Sequence, residues 1–267
     1  MKVDVKKVIA SKSPGLAKVG PLVRYLRRTV HEDEINRILE KYEELPTVEF
    51  IRGALKEMGI TYELIGIEKL DPEGRYIFAS NHPFGGLDGL MLAEKVSAYF
   101  GDVKVVVNDL LMNLDPLKDI FIPVNKHGRQ SAEYSKLYND AFASDVPVIT
   151  FPAGLVSRRK KGVVSDLEWK PNFVKQAIAT QRDVVPVFFD GRLSNFFYRL
   201  ANFRTGLGIK GNIEMLYLPD EMFKQGGSHF YIVIGDPIPW KELDDGQPPR
   251  QHARRIRELA YKLKKTD

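Results

Sequence analysis

The sequence predicts an α/β fold, a central mixed sheet flanked by helices, with a helical extension at the N-terminus. Short apolar and β-branched runs alternate with longer segments of helical periodicity along most of the chain. No Ser-rich or Pro-rich linker and no internal repeat interrupts the 267 residues, which are enough for one ample core. We therefore expect two parts, a basic helical extension at residues 1–58 and an α/β domain at residues 59–267.

The first half of the chain is predicted to run from helices into strands. Helical periodicity predicts helices at residues 21–31, 32–44, 47–58 and 87–100. Acidic residues at 32–34 suit the start of the second helix, and Gly59 ends the third. Apolar and β-branched runs predict strands at residues 62–67, 76–80, 103–108 and 120–124.

The second half continues the alternation. A helix at residues 131–143 precedes a strand at 146–151, which ends in a Pro/Gly turn. A short helix at residues 172–180 leads into a strand at 183–189. Two late strands and a terminal helix are predicted at residues 213–217, 230–234 and 249–264.

One motif at the end of a predicted strand carries the strongest indication of chemistry, the run Asn81-His82-Pro83-Phe84-Gly85-Gly86-Leu87-Asp88. A neutral imidazole can remove a proton from a hydroxyl when a carboxylate fixes its tautomer and stabilises the imidazolium. Gly85 and Gly86 can turn the chain so that Asp88 returns to His82. The alternative is a buried, satisfied histidine beside an aspartate that caps the next helix. Strand ends in α/β folds often carry chemistry, and the motif predicts a His82–Asp88 dyad with Asn81, Gly85 and Gly86 shaping the loop.

A second segment follows another predicted strand, Phe151-Pro152-Ala153-Gly154-Leu155-Val156-Ser157-Arg158-Arg159. Together with the histidine motif it resembles the glycerolipid acyltransferase superfamily, whose members acylate glycerol phosphate and lysophosphatidic acid. That family carries N-H-x4-D, a central block ending in Arg, then F-P-E-G and V-P-V. Phe121-Ile122-Pro123…Arg129 and Val185-Pro186-Val187 match the second and fourth blocks. The chain is most similar to a bacterial, hemolysin-like subgroup with N-H-P-F-G-G-L-D-G.

The resemblance implies a fold of the glycerolipid acyltransferase type, and O-acyl transfer from an acyl carrier protein (acyl-ACP) or acyl-coenzyme A thioester to a lyso-lipid in membrane lipid biosynthesis. It implies no cofactor beyond that donor substrate. The acceptor would be lysophosphatidic acid, and an N-acyl amino-acid lipid is the alternative that Ala153 leaves open. The residues expected to bind substrate are Arg129, Gly154, Ser157, Arg158 and Arg159.

Two departures from the family pattern bear on this interpretation. Five residues, not four, separate His82 from Asp88, and a bulge in the glycine pair can absorb the extra one. Ala153 stands where the family usually has Glu, a residue associated with the acyl acceptor. This substitution weakens the expectation of a glycerol phosphate acceptor more than it weakens the expectation of acyl transfer.

Other functions remain open at this stage. The same dyad with water as acceptor would make a thioesterase or lipase-like hydrolase, although no Gly-x-Ser-x-Gly elbow occurs. A non-catalytic membrane-binding module is a further alternative. The aromatic segment 190–200 can line an acyl trough, contact a membrane, or belong to the core.

Composition excludes several classes of chemistry. With no cysteine, the chain has no disulfide, thiolate metal site or cysteine nucleophile, and its five histidines lack metal-ligand spacing, so no metal site is expected. No run of 18 apolar residues and no signal-peptide pattern occurs, which favours a cytoplasmic protein.

Charge is concentrated at the N-terminus. Residues 1–30 carry a net charge of +7, whereas the whole chain carries +5. Such a segment can hold a protein peripherally on the anionic inner face of the cell membrane, and the alternative is a helix packed on the core. No basic-aromatic motif predicts nucleic-acid binding.

Overall fold

A mixed sheet of seven strands organises the larger part of the chain. The structure is a computed structural model that describes residues 2–108, 111–112, 114–124 and 131–264, with only the backbone of Lys12. The strands are β1 (Thr61–Ile65), β2 (Tyr76–Ser80), β3 (Lys104–Asn108), β4 (Phe121–Val124), β5 (Val148–Thr150), β6 (Arg158–Lys160), β7 (Val163–Ser165), β8 (Asp183–Phe189) and β9 (His229–Ile234). The sheet order is β1-β9-β8-β2-β5-β3-β4, and β6 and β7 form a separate antiparallel hairpin.

The centre of the sheet is parallel. β2 lies between β5 and β8 and is parallel to both, with Ala79 opposite Thr150 on one side and Pro186 on the other. β9 joins β8 antiparallel, so the sheet is mixed. Every residue of β2 is buried, which explains its apolar run at residues 77–79, because a central parallel strand is covered on both faces. The predicted fold class is confirmed.

The helices flank these strands in sequence. They are α1 (Val5–Lys12), α2 (Gly20–Thr29), α3 (Glu32–Tyr42), α4 (Thr47–Glu57), α5 (Gly86–Phe100), α6 (Ala132–Ala143), α7 (Asn172–Thr180), α8 (Asn195–Gly206), α9 (Leu218–Phe223), α10 (Trp240–Leu243) and α11 (Pro249–Lys262). Short 3-10 helices lie at Leu16–Lys18, Ile67–Lys69, Asp115–Ile120 and Ile213–Tyr217. Among the described residues, no helix combines the length and apolarity needed to cross a membrane.

The chain divides into two compact units. The first comprises Met1–Thr61 with Leu193–Ser228, and the second comprises Tyr62–Arg192 with His229–Asp267. The predicted extension, residues 1–58, lies in the first unit, which also takes in α8 and α9 from the second half of the chain. The second unit contains the apolar core around Ile77, Trp169 and Ile256.

The secondary-structure prediction and the structure differ in the segment from residue 190 to residue 217. The strand predicted at 213–217 is wrong, because Ile213–Tyr217 is a 3-10 helix in which Met215 N–H bonds to Asn212 C=O. This turn needs no partner strand and places Glu214 in the interior beside Arg204. The aromatic segment forms part of α8, whose Ser194 cap accepts from Phe197 N–H.

Candidate active site

The carboxyl ends of two adjacent parallel strands place His82 and Phe151 side by side. His82 follows β2 and Phe151 follows β5, and their ring centroids lie 4.3 Å apart. Ligand sites in open α/β sheets lie at this edge, outside the carboxyl ends of the strands. The His82 side chain is 18% exposed, so a reactant can reach it.

The structure brings the two residues of the predicted dyad, His82 and Asp88, together in the second unit. Nδ1 of His82 lies 2.9 Å from Oδ2 of Asp88. Gly85 makes the return possible: it has φ +82° and ψ −121°, a conformation that residues with a side chain rarely adopt. The five-residue spacing is therefore compatible with contact between the two side chains.

Asp88 is fully buried in the first turn of α5. Its carboxylate accepts hydrogen bonds from the main-chain N–H groups of Phe84 and Gly85 at 3.0–3.1 Å. Burial raises the pKa of the Asp88 carboxyl, while His82 and these two N–H groups act to lower it. With Nδ1 facing Asp88, Nε2 is the ring nitrogen left to accept a proton from a substrate.

The main chain of His82 is fixed on both sides by residues far along the sequence. Its N–H donates to Oδ1 of Asp166 at 3.2 Å, and its C=O accepts from Ser157 N–H at 2.7 Å. Ser157 Oγ in turn donates to Oδ1 of Asp166 at 2.6 Å. Ser157, expected to bind substrate, is buried and bonded to Asp166.

Sequence analysis missed Asp166 and also the residues that bind it from outside the histidine loop, Trp169, Arg257 and Tyr261. Trp169 Nε1 donates to Oδ2 of Asp166 at 2.9 Å. Asp166 N–H donates to the Tyr261 hydroxyl at 2.7 Å, and its C=O accepts from Arg257 at 2.9 Å. The pKa of Tyr261 is raised to about 12, mainly by burial and secondly by the negative charge of Asp166. Helix α11 thus supports the loop that holds His82.

Asn81 ties the histidine loop to the neighbouring strand. Its side-chain amide donates to the C=O of Phe189 at 2.9 Å, and its Oδ1 accepts from the N–H of Phe189 at 2.6 Å. Asn81 is buried and joins the end of β2 to the end of β8. Asn81, predicted to shape the loop, makes this pair of bonds with Phe189.

The turn after β5 places the remaining predicted residues. Gly154 is exposed with φ +67°, and Lys170 Nζ lies 3.5 Å from where a Cβ of residue 154 would be. Arg158 is buried in β6 and donates to the C=O of Val156 at 3.1 Å, while Arg159 is partly exposed. Lys170, near the turn and exposed, was not among the predicted residues.

Arg129 lies outside the described residues. Ala153 is buried and belongs to the apolar core. Within the described part of the chain, no group of three or more His, Asp and Glu side chains is arranged to hold a metal ion. The arrangement supports proton transfer by His82 at a rigid loop.

Comparison with known proteins finds one family, two relatives and one solved structure that the chain resembles. The family model described as Acyltransferase matches residues 7–267. A "Lyso-glycine lipid O-acyltransferase" of Bacteroides thetaiotaomicron is 46% identical over 264 residues, covering 98% of this chain and 97% of that protein. A protein of the same name from Phocaeicola vulgatus is 44% identical, covering 98% and 95%. The solved structure of the 1-acyl-sn-glycerophosphate (LPA) acyltransferase PlsC from Thermotoga maritima aligns with a TM-score of 0.49 and 14% identity, covering 98% of this chain and 95% of that one.

Proposed function

The chain belongs to the acyltransferase family and is an acyltransferase, and on that premise we propose that it acylates the hydroxyl of a lyso-glycine lipid, using His82 as the general base. The chemistry rests on one observation, the 2.9 Å contact between His82 and Asp88 at the carboxyl ends of parallel strands. The choice of acceptor rests on two relatives that carry this activity in their names and are 46% and 44% identical over almost the whole chain.

His82 moves the proton in this reaction. Nε2 removes the proton from the acceptor hydroxyl, and the hydroxyl oxygen attacks the thioester carbonyl carbon. The C–S bond then breaks, and the imidazolium returns its proton to the leaving thiolate, so an ester and a thiol are formed. Asp88 orients the ring and stabilises the imidazolium. No acyl-enzyme is required.

Attack on the thioester carbonyl turns its oxygen into an oxyanion. This oxyanion needs a hydrogen-bond donor that is not already engaged. Gly85 N–H bonds to Asp88 and Gly154 N–H bonds to the C=O of Phe151. Gly86 is the first residue of α5 and is exposed, and the first N–H groups of a helix have no acceptor within the helix. We assign the oxyanion to this N–H.

The acceptor carries a carboxylate, which cations near the turn can bind. Exposed Lys170 lies over Gly154 and partly exposed Arg159 follows in β6, whereas Arg158 supports the turn from inside. Both guanidinium and ammonium groups form charge-assisted hydrogen bonds with carboxylates.

The acyl donor is an acyl-ACP or acyl-coenzyme A thioester, and the reaction takes place at the inner face of the cell membrane. Support for the thioester comes from the family resemblance, and because the sequence lacks cysteine, any thioester in the reaction must belong to the donor. Support for the membrane comes from the net charge of +7 in residues 1–30.

A comparison of acceptors tests the proposal. Purified protein is given one long-chain thioester and, separately, lyso-glycine lipid, lysophosphatidic acid or glycerol 3-phosphate, and the acylated product is measured by mass spectrometry. We expect the diacyl glycine lipid as the main product. Thiol release without any acylated lipid would indicate the hydrolase, and acylation of glycerol 3-phosphate alone would overturn the proposed acceptor.

A further inference from the structure

We propose that residues 195–216 of the first unit, here named the lipid-contact segment, insert apolar side chains into the surface of an anionic bilayer. The proposal rests on the proposed function in one respect, that the acceptor is a membrane lipid. The segment comprises α8, the loop after it and most of the 3-10 helix Ile213–Tyr217.

The lipid-contact segment exposes an unusual set of large apolar side chains. Phe203 is 67% exposed, Leu207 60% and Leu216 52%. The further members are Phe196, Ile209 and Ile213. Clustered exposed apolar side chains on a folded protein mark a contact with a partner or a membrane.

These side chains are held outward by a fixed framework. Arg204, on the inner face of α8, has Nε 2.8 Å from Oε2 of buried Glu214. Its Nη1 donates to the C=O of Ile209 at 2.7 Å. The buried arginine therefore holds the loop from inside, and the apolar side chains face solvent in an ordered structure.

The charges of the lipid-contact segment favour an anionic lipid surface as its binding partner. No Asp or Glu occurs from residue 193 to residue 213, whereas Arg199 and Lys210 are exposed in the same stretch. Exposed aromatic and aliphatic side chains among cations are typical of surfaces that bind at the interface of anionic membranes. A second copy of this surface would bring cations against cations.

The basic N-terminal helix continues the surface within the same unit. The ring of Phe196 packs on Tyr217 with centroids 5.0 Å apart, and the Tyr217 hydroxyl lies 2.5 Å from that of Tyr25 in α2. Tyr25 is exposed beside Arg24 and Arg28. The N-terminal cations and the lipid-contact segment can thus reach one bilayer together.

Sedimentation with vesicles tests the proposal on the full chain. The double variant Phe203→Ser/Leu207→Ser is compared with Leu137→Ser/Val163→Ser, which changes two exposed apolar residues of the second unit. Vesicles contain phosphatidylcholine with or without phosphatidylglycerol, at two salt concentrations. We expect wild type and the control variant to bind anionic vesicles, and to bind them less at high salt. The affinity of the Phe203/Leu207 variant for these vesicles should be lower by a factor of about ten or more.

Three results would overturn the proposal. The first is that the Phe203/Leu207 variant binds vesicles as well as wild type does, and the second is that the control variant loses as much binding. The third is that wild type binds no vesicles but forms a dimer in light scattering, and that the Phe203/Leu207 variant is a monomer. Thermal melts check that both variants fold. Sedimentation uses no acyl donor, so its result is independent of whether the proposed reaction occurs, which the acceptor comparison tests separately.

Discussion

The main-chain N–H of His82 donates to Oδ1 of Asp166 over 3.2 Å, although 84 positions separate the two residues. The carboxylate that orients the imidazole ring, Asp88, belongs to the histidine's own loop, whereas the one that fixes the histidine's backbone comes from the segment after the β6–β7 hairpin. Proton transfer is sensitive to misplacement of the base by an ångström or less. We therefore expect the activity of the site to depend on both carboxylates.

Asp166→Asn should lower the turnover number more than it changes KM. An amide can still accept from His82 N–H, but its NH2 group then faces the Trp169 N–H where Oδ2 now accepts. We expect turnover to fall by about 10-fold to 100-fold through misplacement of His82. Steady-state kinetics with Asp140→Asn, an exposed aspartate of α6, as control test this. Unchanged turnover in a folded Asp166→Asn protein would contradict a role for Asp166 in positioning His82.

Replacement of Gly85 by alanine should lower the stability of the protein, whereas the same replacement of Gly86 should not. Gly85→Ala forces a side chain into φ +82°, ψ −121° and should cost about 1–3 kcal/mol of unfolding free energy. Gly86→Ala starts a helix with open space around its Cβ and should leave stability within about 0.5 kcal/mol. Urea unfolding of both variants measures the difference. Equal stability of the two would contradict the assigned backbone conformation.

Asn81→Ala should destabilise the second unit. It leaves the N–H and C=O of Phe189 without their partner, at about 1–3 kcal/mol for each buried group. Asn81→Asp should be worse at neutral pH, since it places a carboxylate against the C=O of Phe189. Denaturant midpoints give the order wild type, Asn81→Ala, Asn81→Asp. An Asn81→Asp protein as stable as wild type would contradict the two hydrogen bonds between the Asn81 side chain and the main chain of Phe189.

Asp88→Asn should separate stability from activity. Because folding raises the pKa of this carboxyl, its contribution to stability is fully present below its ordinary pKa of about 3.9 and is lost as pH rises through the folded value. Wild type should therefore lose stability relative to Asp88→Asn as the pH rises from acid to neutral. Transfer activity should fall by about 10²-fold or more, because an amide favours the wrong imidazole tautomer. Melting curves and activity from pH 4 to pH 7 test both expectations, and a full-activity variant would exclude a catalytic role for Asp88.

The sequence predicted the parts of the site that lie close together along the chain. His82 and Asp88 share one loop with the glycine that turns it, and each follows a signal that can be seen locally, a strand end or a helix start. Asp166 carries no such signal, because it meets His82 only through a backbone atom and lies 84 positions away along the chain.

The same distinction applies to the fold. The buried strands β2 and β8 were predicted because an apolar run reports burial on both faces. Ile213–Tyr217 has similar composition, but its conformation depends on the burial of Glu214 beside Arg204, a tertiary contact that periodicity does not contain. Helix α8 was missed because its aromatic and Asn residues have modest helix propensity, although Ser194 offered a capping signal.

If His82 is the general base of acyl transfer, its loss must slow the transfer from a thioester to lyso-glycine lipid, and the variant to measure is His82→Ala. His229→Ala, which alters an exposed histidine of β9, serves as the control. We predict that His82→Ala retains the wild-type melting temperature within a few degrees and loses about 10²- to 10⁴-fold in rate, while the control keeps full activity. A folded His82→Ala protein that transfers acyl groups at close to the wild-type rate would contradict the account.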